Sequence, residues 1–247
     1  MKKSISNKFK YYLIGVIIIF VVWGILSLLF DESNLVFPNM FLVFKETINL
    51  LKTNYTYKCL VSTFIRLLIG FCVAFVLALL IGTIAGLDEK FKYTIRPIIT
   101  VVKSIPTASL VFLFIVLSGA KSAPIYIVIL ICFPILFESV CAGYENLDPA
   151  IINSLNLEKG NNIYKIVKIK LPLAIPYIIV GIASSLGLSF KIVIMAEVLT
   201  GSTMPGLGSA ISYIQRNDPT NMVGIFAYSL IAVLISLVID LISDRIC

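Results

Sequence analysis

The 247 residues are 59% hydrophobic and 13% charged, with a formal net charge of +7. That leaves too little polar surface to solvate a globule of this size and excludes an ordinary water-soluble domain. The positive charge does not point to nucleic acid, because lysine and arginine gather in short segments between long apolar runs.

Cys59, Cys72, Cys132, Cys141 and Cys247 are odd in number, and three of them fall inside apolar runs, so no disulfide framework, metal site or cofactor is expected. A hydrocarbon slab about 30 Å thick is crossed by about 20 apolar residues at 1.5 Å each. Runs of that kind at 11–30, 60–87, 98–117, 124–142, 173–200 and 223–242 predict an all-α membrane protein of about six transmembrane helices. It is read as one domain over 1–247 with its core at 60–242. The basic stretch 1–10 precedes the first run as in a signal peptide, but 11–30 is too long for such a segment and no small-residue cleavage site follows, so an uncleaved span is expected.

With the N-terminus inside, twelve basic residues fall in inner segments and five in outer ones, which orients both termini to the cytoplasm. Between the first and second spans, Phe41, Leu42, Phe44, Ile48 and Leu51 recur at helical spacing and predict an interfacial helix. Between the fourth and fifth, 143–170 is polar and basic and reads as two helical pieces around Lys159.

Ionisable groups inside spans are functional candidates, with their depth deciding between roles. Arg66 and Lys103 lie near span ends and are expected to snorkel to the interface. Lys191 lies about 28 Å along a helix from Pro172, near the outer end of the slab, and either meets an anionic solute or snorkels. Glu197, six residues on, does not share its face. Glu138 lies deeper and needs a partner or a wet cavity. Ser104, Thr107, Ser109, Ser184, Ser185 and Ser189 either line a polar pathway or allow close helix packing. Pro106 and Pro134 interrupt spans and free backbone carbonyls.

No phosphate-cradling glycine loop is encoded: Gly119-Ala120-Lys121-Ser122 lacks the glycine directly before the lysine. The stretch from Asp148-Pro149 to Leu171-Pro172 is similar to the EAA loop of ABC importer permeases, especially the nitrate/sulfonate/taurine group. It keeps apolar Ile151, Ile152, Ile166 and Ile169, while Asn153, Ser154 and Leu155 stand where the family has Glu-Ala-Ala. Lys159 stands where it has Gly, with Gly160 one residue late. Phe37-Pro38, Ser104-Ile105-Pro106, Gly187-Leu188-Ser189-Phe190-Lys191, Ala196-Glu197-Val198 and Gly206-Leu207-Gly208 resemble the same group in the same order.

The resemblance implies a type I importer-like permease fold and a multi-pass subunit of the cytoplasmic membrane carrying a small polar, anionic solute. ATP hydrolysis would fall to a separate ABC ATPase. An extracytoplasmic solute-binding protein, a second permease copy and membrane lipid would be the other partners, with no nucleic acid. Within the coupling loop 143–172, it implies that Asn153, Ser154, Leu157, Glu158, Lys159 and Gly160 meet the ATPase. Ser104, Thr107, Glu138, Ser185, Ser189 and Lys191 are the candidate pathway residues.

Three other readings compete with this one. A thiamine-precursor-like solute is an alternative cargo. A self-sufficient secondary transporter would usually show half-repeats, which are not visible. An intramembrane enzyme built on Ser189 and Lys191 fails because residues i and i+2 point about 200° apart on a helix, and the chain has no histidine.

Overall fold

The computed structural model describes residues 2–29, 37–157 and 162–246. Every regular element among them is helical. In chain order these are α1 (Lys2–Leu29), α2 (Met40–Leu51), α3 (Asn54–Leu87), α4 (Glu89–Ser104), α5 (Thr107–Ser118), α6 (Ala123–Glu145), α7 (Pro149–Leu157) and α8 (Asn162–Lys165). A π turn (Ile166–Lys170) then leads into α9 (Leu171–Thr200), followed by α10 (Leu207–Asn217) and α11 (Met222–Ile246).

Four stretches are long and apolar enough to cross a membrane: Asn54–Leu87, Ala123–Glu145, Ile166–Thr200 and Met222–Ser243. The first expected span falls in α1, whose apolar part is the shorter Ile17–Leu29. The third is corrected. Residues 98–117 do not form one straight helix, because α4 and α5 meet at 96°. Pro106 has no N–H to donate to the turn before it, and its ring holds Ile105 in an extended conformation (φ −75°, ψ 128°). The helix therefore stops at Ser104 and restarts at Thr107 in a new direction.

The core forms where α3, α6 and α9 pack. α3 and α6 run parallel, and three glycines of α3 receive three side chains of α6. A Cβ at Gly70 would come within 2.9 Å of Val128, at Gly82 within 2.9 Å of Val140, and at Gly86 within 2.7 Å of Tyr144. The constant offset of 58 residues between these partners fixes the register of the two helices. α9 runs antiparallel to α6, with Gly143 against Ala174 and Gly181 against Ser139. Phe190, Val193 and Ala196 of α9 are fully buried in the same core.

The interfacial helix expected between the first two spans is α2. Asn39 caps it by accepting from the Phe41 N–H at 2.9 Å, and its Val43 and Thr47 are buried. Trp23 of α1 gathers Phe37, Phe44 and Phe226 around its ring and donates from Nε1 to the Pro38 carbonyl at 3.4 Å. This aromatic cluster ties α1, α2 and α11 together.

Candidate coupling and pathway site

At one end of the bundle the chain leaves α6 and turns into α7, which starts on Pro149 with the Asp148 carboxylate accepting from the Ala150 N–H at 2.8 Å. Ile152 and Leu155 face inward, and the Leu155 carbonyl accepts from Lys165 Nζ at 2.5 Å, which ties α7 to α8. Asn153 and Ser154 are exposed, and the Ser154 hydroxyl donates to its own helix at Ala150 O. Leu157 is 86% exposed. Glu158, Lys159 and Gly160 lie outside the described residues. From α8 the π turn passes into α9 without a break, so Ile166–Thr200 is one continuous helix of 35 residues.

The candidate pathway residues do not converge on one surface. Ser185 and Ser189 are fully buried in the protomer and donate to Gly181 O at 2.6 Å and Leu186 O at 2.7 Å. Ser104 is exposed at the end of α4 and donates to Thr100 O at 2.8 Å, while Thr107 is half-buried at the first turn of α5. Glu138 accepts from Lys103 Nζ at 2.8 and 2.9 Å, so the partner that its depth demands comes from the last turn of α4. Lys92 and Glu145 pair at the same end of the bundle.

Lys191 donates to Asp240 of α11 at 3.2 Å. Asp240 goes unmarked in the sequence, although a carboxylate eighteen residues into an apolar helix is itself a signal.

Arg66 does not snorkel, which is a second correction. Its side chain is 9% exposed, and Nη1 donates to Glu197 Oε1 at 2.5 Å and to the Pro205 carbonyl at 3.0 Å. Glu197, at 1% exposure, also accepts from the Thr63 hydroxyl (2.9 Å to Oε2) and from the Gly208 N–H at 3.0 Å. Thr63 in turn accepts from the Leu207 N–H at 2.9 Å. One carboxylate thus clamps α3, α9 and the turn into α10, with its oxygens occupied by charged and neutral donors as burial requires.

The clamp also gives the Gly206-Leu207-Gly208 string a physical reason. A Cβ at Gly206 would come within 2.7 Å of both Arg66 and the Glu197 carboxylate, and one at Gly208 would collide with the Ile194 carbonyl and Glu197. Gly208→Ala is therefore expected to overpack the clamp and cost at least about 1–3 kcal/mol. A lowered unfolding midpoint of the variant in detergent micelles is the measurement, and an unchanged midpoint speaks against a rigid clamp.

Residues 74–246 match the family described as binding-protein-dependent transport system inner membrane component. The nitrate import permease protein NrtB of Leptolyngbya laminosa is 21% identical over 73% of this chain, a match that spans 65% of that protein's length. The putative aliphatic sulfonates transport permease protein SsuC of Bacillus subtilis is 25% identical over 87% of this chain and 78% of its own. The bicarbonate transport system permease protein CmpB of Synechococcus elongatus is 23% identical over 60% of this chain and 53% of its own.

Among solved structures, an inward-facing MetNI methionine ABC transporter superposes with a TM-score of 0.61 at 20% identity, covering 77% of this chain and 91% of that one. This likeness bears on the fold. The family match runs from within α3 to the end of α11 and takes in α6, α7, α9 and Glu197, and the chain belongs to the binding-protein-dependent transport system inner membrane components.

Proposed function

We propose that this permease chain works in an ATP-binding-cassette importer in which two copies enclose one pathway for a small oxyanion. A separate ATPase docks on the α7–α8 projection, and an extracytoplasmic binding protein delivers the solute. The observation that carries the reading is the continuity of Ile166–Thr200. A displacement of the projection is delivered as a tilt of a helix whose far end holds Glu197 and, through it, α3 and the turn into α10. The basic residues favour placing the projection and both termini in the cytoplasm.

The solute class is inferred from relatives named for nitrate, aliphatic sulfonates and bicarbonate, all small oxyanions. The chain encodes no phosphate-cradling loop, so hydrolysis is assigned to the partner.

The test is ATP hydrolysis in nanodiscs. The purified chain alone is expected to turn over no ATP. Adding its ATPase and the binding protein loaded with nitrate, bicarbonate or ethanesulfonate is expected to raise hydrolysis above that of the ATPase alone. Hydrolysis that is indifferent to the presence of the chain overturns the reading.

A further inference from the structure

α9 and α11 leave between them an open cavity of about 330 Å³ whose polar lining is Ser184, Lys191, Asp240 and Ser243 around Gly187. The height of this cavity is set by helix register. Gly181 meets Ser139, six residues or about 9 Å from the α7 end of α6. Gly187, against which Asp240 rests, lies another six residues or about 9 Å along α9, so Asp240 is level with a point about 18 Å along α6 from its α7 end. Helical side chains lean toward the N-terminus, and the Lys191 stem accordingly reaches back to this level. The ammonium therefore lies nearer the α7 end of the bundle than its own Cα does, beside a carboxylate inside the apolar span Met222–Ser243 of α11.

An ion pair at that depth, with side chains 58% and 41% exposed in the protomer, is costly against acyl chains and belongs on a water-filled pathway. The other intramembrane pairs differ from it. Arg66–Glu197 is closed off and saturated. Lys103 binds both Glu138 oxygens only seven residues, about 10 Å, from the end of α6. Lys191 makes one contact, to one oxygen, at 3.2 Å. Its partner is the fixed member of the pair, because the Asp240 carboxylate is seated in the notch left by Gly187, where a Cβ would collide with Oδ1.

We infer that Lys191 is the cation of a transient subsite for the transported oxyanion, and that Asp240 is its resting partner, exchanged for the solute's negative charge during passage. The inference rests on the anion-import reading above. Lysine suits the exchange, being a point charge on a flexible stem whose donors rotate. Asp240 balances the charge of Lys191 while the site is empty, and its repulsion keeps the anion from being retained, which a conducting site requires. The cavity admits a small oxyanion beside the two side chains.

The experiment is uptake of nitrate, bicarbonate, ethanesulfonate and taurine by cells carrying the chain with its partner subunits. Membrane abundance is matched, and basal ATP hydrolysis of the assembled complex is measured in parallel. Lys191→Gln is expected to lower uptake at least about tenfold, as loss of a charge-assisted contact implies. Lys191→Arg is expected to retain uptake to within about fivefold, keeping charge but not flexibility.

The deciding variant is Lys191→Gln/Asp240→Asn, which is neutral and leaves no charge unpaired. If Lys191 serves the solute, this variant stays as low as Lys191→Gln while basal hydrolysis persists. Recovery toward wild-type uptake shows that the pair only balances charge and overturns the inference, as does joint loss of assembly and hydrolysis. A wild type that moves none of the four solutes overturns the anion-import reading instead.

Discussion

Leu157→Asp is expected to strip the ATPase from the complex while the permease still inserts and folds. Leu157 is 86% exposed at the end of α7, so the bundle does not depend on it. A leucine that packs against the proposed ATPase would cover apolar surface worth about 1.5–3 kcal/mol. An unpaired carboxylate in the same place adds a burial cost of several kcal/mol. The two effects together predict a loss of association of at least about a hundredfold, on the scale of 1.4 kcal/mol per factor of ten. A projection that merely rested on anionic lipid would give a change of only about 1 kcal/mol per charge and leave ATPase association intact. Co-purification of the ATPase with wild-type and variant chains, at equal membrane expression, separates the two. Undiminished co-purification with normal transport removes this position from the interface.

The second large effect is expected at Glu197. Glu197→Gln keeps an acceptor for Thr63 but leaves the Arg66 guanidinium buried beside a neutral amide, at an expected cost of about 3–5 kcal/mol. Arg66→Met removes the cation and leaves Glu197 with the Thr63 and Gly208 donors. If the two charges act as a unit, the double variant loses clearly less than the sum of the singles, with a coupling of about 1–3 kcal/mol in unfolding experiments in micelles. Single losses that add to within about 0.5 kcal/mol would mean that the pair carries no energy of its own.

Much of the architecture was legible in the sequence. The spans of α3, α6, α9 and α11 lie where apolar length placed them, because about 20 apolar residues in water have one solution and it does not depend on distant contacts. The interfacial α2 was equally local. What was missed is not local. The run 98–117 is apolar on both sides of Pro106, so hydropathy joins what backbone sterics separate; the signal was Ile105-Pro106 itself.

Arg66 and Glu197 are 131 residues apart, and nothing in their spacing announces that they meet. Arg66 read alone looks like a side chain seeking the interface, and only the fold supplies the acid that holds it inside. Lys191 was placed by the position of its Cα, whereas its ammonium is received by Asp240 of α11, a carboxylate that rests against Gly187 one turn back along α9. Ser185 and Ser189 have the chemistry of a polar lining, but they face α6 and bond to their own helix.

The π turn at Ile166–Lys170 has a consequence for chain length. In a regular α-helix, adding or deleting one residue turns the part before it by about 100° relative to the part after it. A wide turn already holds one surplus residue, and losing it closes the turn to α geometry while the flanking faces keep their aim. At this junction the chain can therefore shorten by one residue without swinging the projection around the bundle or shifting Gly181 away from Ser139. Alignment gaps between descendants of such a chain are tolerated best here, at the root of α9, and homologues differing by one residue at this point can still present the same docking direction.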